Sequence, residues 1–157
     1  MFSCDYGAKK YADEIRENAE CFGVKPAVLF AVAETESGFD PQAKSLSGAI
    51  GIMQIMPKTG EWIASVLSVE GYSETLLYDP EINICFGAYY LSYLYSIFHS
   101  DWIVFAAYNA GETVVKAWLA VGIDSEEDIP YPETKRYVGK VKRAVSHYEG
   151  KKFLSFD

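Results

Sequence analysis

The sequence is poor in residues suited to metal or redox chemistry. Its 157 residues include three cysteines and two histidines. Cys4, Cys21 and Cys85 show no CxxC spacing, which argues against a metal site and allows at most one intramolecular disulfide. Cys21 and Cys85 fall on apolar stretches, so both are expected to be buried free thiols. Basic residues are also scarce. The 14 Lys and Arg against 22 Asp and Glu leave a formal net charge of −8. Such a chain lacks the basic face that nucleic acid demands and the attraction that draws basic proteins to anionic lipid. The charge says little about a polysaccharide held by hydrogen bonds and stacking. No uninterrupted apolar run is long enough to span a bilayer. Met1 to Asp5 has neither the charged n-region nor the apolar h-region of a signal peptide. The chain is therefore expected either to stay inside the cell or to be a mature, trimmed piece. Low-complexity segments, internal repeats and linkers are missing too, which leaves one domain over residues 1–157.

What is present reads as a helical globule. Half of the residues are hydrophobic and 23% are charged, a composition that folds. Aromatics reach 15%, including 12 tyrosines. They suit a dense core or a groove in which flat rings meet the apolar faces of sugars. Apolar residues at three- and four-residue steps predict a helix from Tyr6 to Phe22, closed by Gly23. Pro26 then opens a helix that Gly38 ends. Residues 42–54 read as irregular, with room for a short hairpin. Pro57 starts a helix to about Leu67, and residues 71–78 read as loop. Asp79 and Pro80 cap a long helix to His99 that is apolar on most sides and is expected at the domain centre. Asp101 caps a short helix, Asn109 to Gly111 form a turn, and helices follow from Glu112 and from Pro132, separated by an acidic loop. The fold class is mostly α, with about seven helices and at most a small β element.

Within the second of these helices, Leu29, Val32, Ala33 and Glu36 stand at offsets that share one face. Glu34 points roughly away from it. A carboxylate on an apolar face is costly unless paired or protonated. Desolvation raises its pKa, which is what a general acid near neutral pH requires. On spacing alone a capping role or an ion pair at the helix end is the commoner account of such a carboxylate.

The residues around Glu36 go further. Glu36-Ser37-Gly38-Phe39-Asp40-Pro41-Gln42-Ala43-Lys44-Ser45 is followed by Gly48-Ala49-Ile50-Gly51-Ile52-Met53-Gln54-Ile55-Met56-Pro57-Lys58-Thr59. Later come Asn83-Ile84 with Gly87-Ala88-Tyr89-Tyr90-Leu91, then Ala107-Tyr108-Asn109-Ala110-Gly111, then Pro132-Glu133-Thr134 with Tyr137-Val138. This ordered series resembles the motifs of soluble lytic murein transglycosylases (SLT domains), relatives of goose-type lysozyme. One short motif would be weak, but an ordered series across most of the chain is specific. Departures are mild: Glu34-Thr35 before the acid is less typical, and Ile52 stands where Leu is commoner.

The resemblance implies a lysozyme-like single domain and peptidoglycan glycan strands as substrate. It implies neither metal nor cofactor, a monomer, and a place in the cell envelope or outside the cell. It puts the one catalytic carboxylate at Glu36. Glu36 would protonate the oxygen of the β-1,4 bond between N-acetylmuramic acid and N-acetylglucosamine. As a base it would then take the proton of the muramyl 6-hydroxyl, whose oxygen attacks C1. The product is a 1,6-anhydromuramyl end, and the internal nucleophile outcompetes water through its effective molarity. Ordinary retaining glycosidases use two carboxylates, and the motifs offer no evident second one. Asp40, before Pro41, reads as a turn cap. The resemblance also carries Ser45, Gln54, Met56, Tyr108, Asn109 and Glu133 over as groove residues. Ser45 has a turn hydrogen bond as its alternative, Met56 core packing, and Glu133 the helix macrodipole. Ser37 is expected to stabilise the helix end, and His99 and His147 take no part. A hydrolase of the same fold and a non-catalytic peptidoglycan-binding module remain the competing readings.

Overall fold

The computed structural model describes residues 3–151, with side chains from Tyr6 onward. Cys4 and the residues before it are outside that side-chain description. Among the described residues there are eight α-helices: α1 (Ser3–Lys10), α2 (Ala12–Phe22), α3 (Pro26–Ser37), α4 (Pro57–Val66), α5 (Pro80–Phe98), α6 (Asp101–Ala110), α7 (Glu112–Ala120) and α8 (Pro132–Glu149). Short 3-10 turns occupy Glu74–Tyr78 and Glu126–Asp128. The β element reduces to two isolated antiparallel bridges, Lys44 with Ile50 and Ile50 with Ile55.

The extra helix comes from a break at Tyr11, which leaves helical geometry and divides the predicted Tyr6–Phe22 helix. Further corrections concern punctuation. Ser100, not Asp101, occupies the N-cap of α6; Asp101 lies in the first turn and accepts a bond from the Tyr95 hydroxyl at 2.8 Å. Asn109 is helical, because the chain leaves α6 only at Gly111, whose φ is 96°. The predicted loops at 71–78 and 122–131 each hold a 3-10 turn. The two cysteines are free thiols as expected but not buried ones: Cys21 is exposed and Cys85 half-buried. Ala19 and Ile15 face the core from α2, and Cys21 falls off that stripe.

Two helices organise the core. α5 packs against α2, α4, α6 and the Glu74–Tyr78 turn. Its N-cap is Asp79, whose carboxylate accepts from the amides of Glu81 and Ile82, as the sequence led us to expect. α3 packs against α8, α2 and α1, and Ala27 through Ala33 are all buried. α3 is thus apolar on every side rather than along one stripe. The offsets that single out Glu36 in the sequence cannot by themselves orient it.

Candidate active site

The site is built where α3 ends, around the segment of residues 40–56. Gly38 takes the left-handed conformation (φ 63°) and caps α3, its amide donating to Glu34 O. The Ser37 hydroxyl, one residue past the acid, donates to Ile52 O at 2.7 Å and accepts from the Asp40 amide. The Asp40 carboxylate in turn accepts from the Gln42 amide at 2.9 Å. Ser37 and Asp40 thereby do the end-stabilising and turn-capping work expected of them.

The loop beyond is irregular but closed by bonds. Ile50 and Ile55 exchange backbone bonds at 3.0 Å in both directions. Asn83, fully buried in α5, supplies what they cannot. It accepts from the Met53 amide at 2.6 Å and donates to Ile50 O and Leu77 O. A buried amide is tolerated only when its polar atoms are met, and here one side chain meets three backbone groups. Gly51 is needed at the same spot. Its φ is 81°, and a Cβ there would strike the Asn83 amide and Leu77 O. Gly87 of α5 leaves room for the Met53 side chain in the same way.

Glu36 is half-buried at the end of α3. Its Oε1 accepts a 2.7 Å hydrogen bond from the Tyr137 hydroxyl of α8. Burial pushes its pKa up to about 7, against the opposing pull of that hydrogen bond. Tyr137 and Tyr108 are raised well above the usual tyrosine value, first by burial and then by the negative charge of Glu36. Both are therefore phenols at neutral pH. Tyr108 donates from its hydroxyl to Met53 O at 2.7 Å, joining α6 to the loop.

A groove of about 270 Å³ is lined among others by Gln54, Met56, Tyr90, Tyr108 and Asn109, and Glu36 and Tyr137 stand behind this lining rather than in it. Tyr108 is the link: it lines the groove and senses the charge of Glu36. No carboxylate lines this groove. Larger depressions along the outer side of α8, about 350 and 420 Å³, include no residue of the loop.

The sequence-selected residues are distributed as follows. Gln54 has a positive φ of 51°, and its amide donates to Ala43 O and Gly51 O, so it braces the loop from the groove wall. Met56 is 42% exposed beside the groove, at the N-cap of α4, and so is not core filler. Ser45 is outside the groove lining, and its hydroxyl accepts from the Ala49 amide at 3.0 Å, the turn bond of its alternative reading. Asn109 is exposed, and its Oδ1 accepts from Thr134 Oγ1 at 2.8 Å. Glu133 is exposed in the first turn of α8 and is not among the groove residues. His99 caps α5 in a left-handed conformation. Sequence reasoning gave no separate role to Tyr137, Thr134 or Asn83. Tyr137 lies 101 residues from the carboxyl it touches, a distance no local pattern spans. Its only signal was membership of the last motif.

Comparison with known proteins agrees with this architecture. The family model "Transglycosylase SLT domain" matches residues 13–128, from α2 through the second 3-10 turn. The soluble lytic murein transglycosylase of Escherichia coli K12 is 43% identical over 133 residues, covering 80% of this chain and 21% of that protein. Membrane-bound lytic murein transglycosylase C of Yersinia pestis is 32% identical over 171 residues, 92% of this chain and 48% of that protein. Among solved structures, the lytic transglycosylase Slt of Pseudomonas aeruginosa, an inactive Glu-to-Gln mutant, superposes with a TM-score of 0.81 at 28% identity, over 93% of this chain and 26% of that one. A 70-kDa soluble lytic transglycosylase in complex with bulgecin A gives a TM-score of 0.81 at 35% identity, over 94% of this chain and 26% of that one. The chain thus spans about a fifth of the soluble relative and nearly half of the membrane-bound one. The expected lysozyme-like helical fold is the fold of these neighbours. With ordered motifs, matching helices and a family match over most of its length, the chain belongs to the transglycosylase SLT domain family.

Proposed function

We propose that residues 1–157 form one catalytic unit that cleaves peptidoglycan glycan strands as a lytic transglycosylase, acting in the cell envelope as a monomer. The observation that carries this reading is Glu36: a half-buried carboxyl with a pKa of about 7, held by Tyr137 and close to Tyr108, which lines a groove without a carboxylate. At neutral pH such a group is divided between its acid and base forms, and one residue can serve both steps.

In the first step Glu36 gives its proton to the glycosidic oxygen between N-acetylmuramic acid and N-acetylglucosamine. The C1–O bond breaks and positive charge collects at C1. The carboxylate that remains is the base for the muramyl 6-hydroxyl. That oxygen closes on C1, and Glu36 regains its proton. Atoms balance without water, and the new end is a 1,6-anhydromuramyl residue. The Tyr137 hydroxyl stabilises the carboxylate between the two steps, since a hydrogen bond to the charged form favours it. With no carboxylate lining the groove, C1 is relieved by the substrate itself, through its N-acetyl group. Tyr108, Gln54, Met56 and Asn109 position the strand. Glu133 and Ser45 act at most through the walls that they help to fold.

The inactive Glu-to-Gln mutant of the P. aeruginosa relative agrees with a mechanism that depends on one Glu. Mass spectrometry of digested peptidoglycan is the test. Anhydro ends are lighter than reducing ends by one water. Reducing ends alone would make the chain a hydrolase of the same fold. Binding without any release of fragments would make it a binding module.

A further inference from the structure

Two side chains on one face of α8 reach toward the site. Tyr137 holds Glu36, and Thr134, three residues earlier, holds Asn109. Tyrosines aside, Asn83 and Thr134 are the buried polar residues among those described, Thr134 at 2% exposure. A buried polar group is costly unless its hydrogen bonds offset the loss of water. Asn83 meets three backbone groups around the loop, and its burial is explained by that. The bond of Thr134 is of another kind. Its hydroxyl donates at 2.8 Å to Oδ1 of Asn109, in the last turn of α6. Asn109 is exposed, so water would serve that oxygen nearly as well. The bond therefore contributes little to the fold.

What it contributes is orientation. A carboxamide has an oxygen and an NH2 of nearly equal shape, and its last torsion lets either face a given side. Asn109 both touches Thr134 and lines the groove. Thr134 is fixed, because α8 packs against α3 and α6 and buries Tyr137, Val138 and Val141 beside it. A buried hydroxyl must place its hydrogen, and Oδ1 of Asn109 takes it. With the oxygen held by α8, the Nδ2 hydrogens are left to the groove.

As packing alone, the pair would be a tie between α6 and α8. The two helices already pack against each other, and that account leaves unexplained why a buried donor is spent on an exposed amide. We propose that Thr134 is a positioning residue, whose hydroxyl fixes the Asn109 amide so that its NH2 faces the groove and donates to a carbonyl or ether oxygen of the bound strand. Thr134 itself touches no substrate. The orientation makes Asn109 a donor, and a strand without an acceptor oxygen at that place binds less well. The proposal rests on the reading that this groove binds a glycan strand.

The test uses the full chain and peptide-free glycan strands. Thr134→Val keeps the shape of the side chain and lacks the hydroxyl. The freed amide then divides between its two orientations, and apparent affinity falls with the competent fraction. Expected is a KM raised roughly 2- to 5-fold, with kcat unchanged and a melting curve close to that of wild type. Thr134→Ser, which keeps the donor, should restore KM. Asn109→Ala should raise KM at least as much as Thr134→Val. Adding Thr134→Val to Asn109→Ala should do nothing more, because the amide through which Thr134 acts is gone. Asn109→Asp keeps the acceptor for Thr134 and loses the donor, so it should bind no better than Asn109→Ala. Asn109 is exposed, so its variants test the orientation without disturbing a buried position. A Thr134→Val loss of the same size with and without the Asn109 amide overturns the proposal. So does a wild-type KM in either Thr134→Val or Asn109→Asp. Release of no fragments by the wild-type chain would overturn the enzyme reading instead. The same variants are then compared by calorimetry as Kd for the strand, and the same ordering decides for or against Thr134.

Discussion

Two tyrosine–glutamate pairs in this molecule behave oppositely. Tyr137 donates to Glu36 at 2.7 Å, and Tyr93 donates to Glu112 at 2.8 Å. The hydrogen bonds are nearly the same. Yet the Glu36 carboxyl rises to about 7 while that of Glu112 falls below the usual carboxylate range. The difference is in what surrounds the bond. Glu36 ends a helix buried on all sides, and the loss of water outweighs the phenol. Glu112 opens a helix with its side chain partly exposed and Lys116 one turn away. A hydrogen bond from tyrosine favours the carboxylate in both places, but burial decides whether it wins. One glutamate is thus fitted to exchange a proton and the other to remain an anion.

The largest expected effect comes from removing the titrating member. Glu36→Gln should lower kcat by about 10³-fold or more in a cell-wall lysis assay, with an unchanged circular dichroism spectrum. Near-normal lysis would take Glu36 out of the chemistry. The same variant tests the burial argument through stability. The folded-state pKa of Glu36 lies above its unfolded value. Its favourable contribution is therefore full below the unfolded pKa and lost as pH rises through about 7. Above that pH the wild type carries a half-buried charge, at a cost on the order of 3 kcal/mol. Glu36→Gln should therefore melt higher than wild type at pH 8 and close to it at pH 4. A gain that is equal at both would show that burial does not set the shift.

Tyr137→Phe sharpens the comparison at the hydrogen bond itself. The phenol lowers the Glu36 pKa, so its loss raises it. The alkaline limb of kcat/KM, which wild type should show near pH 7, should move to higher pH, and the optimum rate should fall roughly tenfold. A limb that moves to lower pH would contradict the direction of the bond. The smallest effect belongs to the exposed pair. Lys116→Ala should raise the titration of Glu112 toward the usual carboxylate range, measured by carboxyl-carbon NMR. An unmoved Glu112 would assign its low value to Tyr93 alone.

Much of the helical framework was legible from local chemistry. Pro26 and Gly38 bound α3 as read, and Asp79-Pro80 opens α5 as read. These signals act within one turn, so a sequence displays them. The errors have the same origin. Tyr11 carries no breaker residue, so the kink between α1 and α2 was invisible, and Asn109 resembled a turn residue although Gly111 is the true stop. The environment of Glu36 was harder to read. Helical spacing pointed to it, but α3 has no solvent face over Ala27 to Ala33 for the spacing to contrast with. What distinguishes Glu36 is Tyr137, brought from α8 by tertiary packing. The loop was likewise read as irregular, since its order comes from a side chain on another helix.

That side chain has a consequence for how the loop breathes. Because Asn83 holds Met53 N, Ile50 O and Leu77 O from within α5, the loop cannot open without stripping a helix of its neighbour. A segment with no regular secondary structure should then exchange its amide hydrogens on the timescale of the core rather than of surface turns. Met53 and Ile55 amides should be among the slow ones in deuterium oxide. Asn83→Ala should release them together, long before the helices themselves begin to exchange.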